Sequence, residues 1–265
     1  MGTKDSGTGP EGERQSVRSL ERGMGVLRCF KPGDRFLGNQ EIAARTGLPK
    51  PTISRLTHTL TQLGYLGYSV KFGKYYLDTA VLALGYSFLA NMDVRRIARP
   101  LMQDLAEYAQ ASVAIGVQDR LNMLYIEAYR SSATVTLTLD VGSQLPIATT
   151  SMGRALLSAL SEVERNTILD QVKMRNEADW PRIKAGMDQA LKDYAELGFC
   201  LSLGDWKRDV HAVAAPLIPV DGSRVLVFSC AGAAFQLRRN MLEENIGPRL
   251  LNLISNVQDA MERHA

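Results

Sequence analysis

The chain has 265 residues, 45% of them hydrophobic, with 31 Lys and Arg against 28 Asp and Glu. No apolar run approaches the roughly 20 residues needed to cross a bilayer, and the polar opening MGTKDSGTGPEGERQ lacks the apolar stretch of a secretory signal. Cys29, Cys200 and Cys230 are odd in number and far apart, and His58, His211 and His264 are the only histidines; this pattern offers no disulfide framework or metal site and fits a reducing cytoplasm, with no cofactor expected.

The first fifteen residues formally carry a myristoylation pattern through Gly2 and Ser6, but their Gly, Ser and Thr content reads as a disordered tail. Beyond it, residues 14–76 hold eleven Lys or Arg against three acids, whereas 77–265 hold nineteen against twenty-two. Basic charge gathered in one short segment is the electrostatic footprint of nucleic-acid binding, and equally of a solvated basic face.

In chain order, Val17, Leu20, Met24, Leu27 and Cys29-Phe30 recur at helical spacing over about 16–30, and Lys31-Pro32-Gly33-Asp34 breaks the run. A short helix from Asn39 to Thr46 stops at Gly47, and Leu48-Pro49 opens a third that ends at Gly64. Ile53, Leu56, Leu60 and Leu63 form the predicted buried stripe of that helix. Its other face presents Lys50, Pro51, Thr52, Ser54, Arg55, His58 and Thr59, with no acid among them. Tyr65–Tyr68 and Lys74–Leu77 read as two strands around a turn bearing Lys71, with Lys74 beside it.

Helix, helix, turn, helix and basic hairpin is the order of a winged helix-turn-helix; an ordinary three-helix core is the alternative. The major groove of DNA admits one helix, and lysines on a hairpin neutralise phosphates. The expected partner is double-stranded operator DNA. Lys50, Thr52, Ser54, Arg55 and His58 are expected in the groove, and Lys71, Lys74, Arg14 and Arg18 on the backbone.

Residues 78–110 read as two helices parted at Asn91-Met92-Asp93, carrying Leu82, Leu84, Phe88 and Leu89 and then Ile97, Leu101, Leu105 and Tyr108. Such apolar faces between domains point to subunit packing. Strands follow at Ser112–Gln118, Asn122–Tyr129 and Thr134–Leu139, then helices at Gly153–Leu160 and about Asp188–Gly198. Two more strands, Val210–Pro216 and Arg224–Ala231, are joined by a turn at Val220-Asp221-Gly222-Ser223, and a terminal amphipathic helix closes the chain. Antiparallel strands flanked by helices give an α+β sheet domain.

Three stretches, QEIAARTGLPKPTISRLTHTLTQLGYL at Gln40–Leu66, GSQLPIATTSMGRALLSAL at Gly142–Leu160 and AVAAPLIPVDGSRVLVFSCAGA at Ala212–Ala233, resemble the IclR family of bacterial transcription regulators in order and spacing. The resemblance implies four segments. These are a disordered tail over 1–15, a winged helix-turn-helix DNA-binding domain over 16–77, a linker helix over 78–95 and a GAF/PAS-like effector-binding sheet domain over 96–265. It also implies a homodimer or dimer of dimers on palindromic operators, a small-molecule effector such as an organic or aromatic acid, either sign of regulation, and no membrane partner.

In acid-binding relatives the ligand lies at the start of the helix after the LP motif, under the last strands. That implies Ser151, Met152 and Gly153 at the helix start, with Ser202, Val210, Ala212, Ser229 and Ala231 around the pocket. Ser202 stands where relatives often carry aspartate, Ala212 replaces a cysteine, Ala231 a serine and Met152 a small residue. These changes favour a larger or more apolar acid; alternatively, Met152 and Val210 fill core. Trp206 covers the pocket mouth or packs a subunit interface, and strand alternation turns His211 away.

Two rival readings remain. One is a DNA-binding structural protein indifferent to metabolites; the other is an enzyme with an accessory helical head. The sequence has no GxSxG, HExxH, Walker A or strand-linked GxGxxG signature, so no catalytic residue is assigned.

Overall fold

The computed structural model describes residues 17–131, 139–220 and 222–263. The chain divides into two compact units, residues 1–91 and 92–265.

In the first unit the helices α1 (Arg18–Arg28), α2 (Asn39–Thr46) and α3 (Lys50–Gln62) precede a hairpin of β1 (Leu66–Ser69) and β2 (Lys74–Leu77), then α4 (Thr79–Ala90). α2 stops at Gly47, whose φ of 70° suits only a residue without Cβ, and this sets the tight turn into α3. Pro49 caps α3, and Pro51 follows within its first turn, where the lost N–H costs nothing. Val26, Leu37, Ile42, Ile53, Leu60 and Leu66 are buried together, each contributing about 1.5–3 kcal/mol. Leu37 also bridges to Tyr75, adding one rung to the hairpin. Two sequence expectations fail here. Leu63 is 60% exposed, not buried; Thr57 fills the seam instead, its hydroxyl donating to the Ile53 carbonyl at 2.9 Å. Val17 and Leu20 are likewise exposed.

The second unit is built on a six-stranded antiparallel sheet of β3 (Ser112–Asp119), β4 (Asn122–Arg130), β5 (Gln144–Pro146), β6 (Cys200–Leu203), β7 (Val210–Leu217) and β8 (Leu226–Ala233). Their order across the sheet is β5-β4-β3-β8-β7-β6. α5 (Asp93–Ala109) lies against β3 and β4. Alongside it, after a short α9 (Arg239–Met241) and a π-helical stretch (Leu242–Ile246), α10 (Gly247–Glu262) lies against β7 and β8. α6 (Ser151–Ala159) crosses the other face, backed by α8 (Trp180–Leu197), while α7 (Glu162–Arg175) connects them. Because helices cover both faces, β8 is buried along nearly its whole length. On α5, Arg95 (3.1 Å) and Arg99 (3.5 Å) both pair with the buried Glu127 of β4.

The α+β architecture is the expected one, with differences in detail. α7, β5 and β6 were not anticipated, and α8 begins eight residues before the expected Asp188. Of the expected strand Thr134–Leu139 only Leu139 lies among the described residues, and Asp221 of the expected turn lies outside them. No helix among the described residues is long and apolar enough to cross a membrane.

Candidate nucleic-acid interface and effector pocket

The polar face of α3 separates into two strips. Lys50, Ser54, Arg55 and His58 are exposed, whereas Thr52 is half-buried. Arg55, with Thr52 and Thr59, borders an apolar groove of about 800 Å³ lined by Leu20, Met24, Leu56, Leu63, Val81 and Leu84. At 100° per residue, Leu63 falls beside Leu56 and Thr52, which explains why it faces this groove rather than the core. Ser54 Oγ accepts a 3.4 Å hydrogen bond from the Asn39 amide, tying the reading helix to the start of α2.

The hairpin carries its two lysines in different settings. Lys71 is exposed at the tip, its Nζ 5.5 Å from the centroid of the Phe72 ring. Lys74 Nζ pairs with Glu41 at 2.9 Å. Glu41 Oε2 also accepts from the Gly38 N–H at 2.8 Å, so one carboxylate caps α2 and engages the hairpin; the lysine, then the N–H, lowers its pKa. A DNA phosphate reaching Lys74 must compete with Glu41. Arg18 opens α1 and is exposed; Arg14 lies outside the described residues. Asp34 hydrogen-bonds Arg45 at the end of α2. That guanidinium, and after it the Lys31 N–H, pulls the carboxyl down to about 2.

In the second unit a small cavity lies between the start of α6 and the sheet. Seven of the eight residues expected around an effector line it: Ser151 and Met152 from α6, Ser202 from β6, Val210 and Ala212 from β7, and Ser229 and Ala231 from β8. Gly153 does not. A Cβ there would come within 1.9 Å of the Ile147 carbonyl, so its bare backbone serves close packing. Its N–H is also taken, donating to the capping Thr150 Oγ1 at 3.2 Å. Among the described residues the Ser151 and Met152 N–H groups therefore remain as the open donors of the first turn, where the helix dipole favours an anion.

Sequence reasoning missed Tyr125, Leu139, Leu145 and Thr150 in the wall, while Trp206 lines it as one of its two readings proposed. Tyr125 is 5% exposed, and burial pushes its phenol up to about 12, so it stays protonated. Its inward direction follows from the alternation Met123, Tyr125 along β4, the one signal that points to it. His211 faces away, its Nδ1 2.8 Å from the Leu237 carbonyl.

The Trp206 loop is fixed by Arg154, a buried residue three positions along α6 from Ser151. Its Nη1 donates to Asp205 at 2.9 Å and to the Leu201 carbonyl at 3.0 Å. Burial pushes the Cys200 and Cys230 thiols up to about 12, far from nucleophilic thiolates. Among the described residues no cluster of three His, Cys, Asp or Glu side chains is placed to hold a metal.

Residues 19–69 match the family model described as IclR helix-turn-helix domain, and residues 86–257 match that of the bacterial transcriptional regulator IclR C-terminal region. The chain is 32% identical to the HTH-type transcriptional regulator TsaQ1/TsaQ2 of Comamonas testosteroni, over 97% of its own length and 91% of the relative's. A crystal structure of an IclR family transcriptional regulator from Brucella abortus is 49% identical, with a TM-score of 0.88 over 97% of this chain and 96% of that one. An IclR homolog from Microbacterium hydrocarbonoxydans, solved in complex with 4-hydroxybenzoate, shares the fold at 20% identity, with a TM-score of 0.71 over 92% of this chain and 99% of that one.

Proposed function

This chain belongs to the IclR family of transcription regulators, with a DNA-binding helix-turn-helix domain and a C-terminal effector domain, and from that premise we propose that an organic acid held at the start of α6 sets its operator affinity. The observation that carries this reading is that Ser151 and Met152, the first two residues of α6, line a cavity beside β6, β7 and β8. A carboxylate there meets two backbone donors and the positive end of α6. Leu139, Leu145, Met152 and Trp206 supply apolar walls, and the Tyr125 and Ser229 hydroxyls a polar end. That division suits an aromatic acid with a polar ring substituent, the chemistry of the 4-hydroxybenzoate bound by the Microbacterium homolog.

On the DNA side, Lys50, Thr52, Ser54, Arg55 and His58 of α3 enter the major groove, while Lys71, Lys74 and Arg18 hold phosphates, joined by Arg14 of the tail. The protein acts as a homodimer or a dimer of dimers. Support comes from α4, where Leu82 (74% exposed), Leu84 (59%) and Tyr86 (67%) leave apolar surface for a second copy to bury. Effector binding shifts DNA affinity by its differential affinity for the DNA-competent and DNA-incompetent states.

A thermal-shift screen of aliphatic and aromatic acids, followed by selection of bound duplex DNA with and without each hit, tests this. An acid that raises the melting temperature and changes operator affinity is the expected result. Operator binding indifferent to every stabilising acid would replace this reading with a ligand-independent DNA-binding protein.

A further inference from the structure

The cavity has a volume of about 20 Å³, room for about one water molecule and far less than an aromatic ring needs. An acid of that size enters only if part of the wall moves. Ala212 and Ala231 have no side-chain torsion to turn, and Ser229 and Tyr125 are buried on the sheet. Trp206 stands half-buried on the β6–β7 connection, so its movement opens access from solvent rather than space beside the α6 donors.

The side chain that fills that space belongs to Met152, itself one of the two donor residues and 2% exposed. Met is unbranched and has three rotatable bonds. Its far end rests on Gly116, where β3 meets Tyr125 across an irregularity in the ladder; a Cβ at position 116 would lie 2.2 Å from the Met152 sulfur and 3.1 Å from its Cε. Gly116 is the hollow in which the thioether sits.

We propose that Met152, seated on Gly116, is the movable wall that decides which acids the pocket admits. The inference rests on the acid-at-α6 reading and adds the residue that sets ligand size. A ring-bearing acid must displace the thioether further than a small oxoacid does. Replacing Gly116 with Ala drives the thioether into the remaining space. Replacing Met152 with Ala removes the obstruction in either background.

The test is calorimetric titration of benzoate and pyruvate into wild type, Met152→Ala, Gly116→Ala and the double variant, with melting temperatures alongside. Benzoate should bind Met152→Ala about tenfold more tightly than wild type and Gly116→Ala about tenfold more weakly, the order of an overpacking penalty. The double variant should regain the benzoate affinity that Gly116→Ala loses and melt no lower than Met152→Ala, because the methyl then has no thioether to meet. Pyruvate is smaller and needs a smaller displacement of the thioether, so its affinity should change less than that of benzoate in every variant. If all four proteins bind benzoate alike, or the double variant stays as weak as Gly116→Ala, the movable wall is overturned while the acid site stands. If none of the four binds either acid, the acid-effector reading is overturned and the wall with it.

Discussion

Arg55 and Lys74 are both basic, yet their surroundings give them different work. Arg55 projects from the reading helix with no acid paired to it among the described residues, free to make the bidentate guanine contact that a planar guanidinium suits. Lys74 already holds Glu41, so on the proposed interface it would meet phosphate as an exchangeable point charge. Arg55→Ala should relax base preference by about 1–3 kcal/mol at one position of the site, read by selection of bound sequences. Lys74→Ala should weaken all sequences alike and lower the salt slope by roughly one, while Glu41→Gln should strengthen non-specific binding. Identical behaviour of the Arg55 and Lys74 variants would refute the division. Both residues were legible as basic positions in the sequence. The Glu41 pairing was not, because it joins two elements 33 positions apart, and composition carries no such distance.

At the scale of elements, the junction ahead of α2 hangs on Asp34 and Arg45, and its pH response follows from the lowered carboxyl. The folded value of about 2 lies below the ordinary 3.8, so the stabilisation is fully present above about pH 4 and is lost as pH falls towards 2. Asp34→Asn should therefore be less stable than wild type at neutral pH and show a shallower loss between pH 4 and 2 in urea melts. Unchanged steepness would remove Asp34 from the account. α2 and β2 were readable to the residue, since a left-handed Gly47 stops one and the hairpin turn fixes the other. α7 was missed because its apolar residues are few and two of them, Val163 and Met174, are exposed. Its capping box, Ser161 with Glu164, was the available signal. β5 and β6, at three and four residues, are too short for alternation to register.

For the whole molecule, the exposed apolar surface of α4 bears on assembly. Leu82→Glu should halve the particle mass in sedimentation at micromolar concentration, with the helical circular dichroism retained; an unchanged mass would place the subunit contact elsewhere. The effector pocket was the least legible part from residues alone. Ser151, Ser202, Ala212 and Ser229 are scattered over nearly 80 positions, and only the sheet order brings them to one cavity. Family resemblance supplied them. Tyr125 was signalled only by its alternation with Met123, and Thr150 becomes visible as wall only once α6 is laid on the sheet.

That sheet order also bears on biosynthesis. β3 forms early in the second unit, yet it pairs with β8, Ser112 lying opposite Ala231, so its open edge must wait for more than a hundred further residues. The first unit draws its core from residues before position 67 and owes nothing to that delay. On the ribosome the DNA-reading portion is complete long before the sensing portion closes. A chain stopped at residue 91 is therefore expected to retain duplex binding while losing any response to metabolites, which a gel shift of that fragment with and without the acid checks.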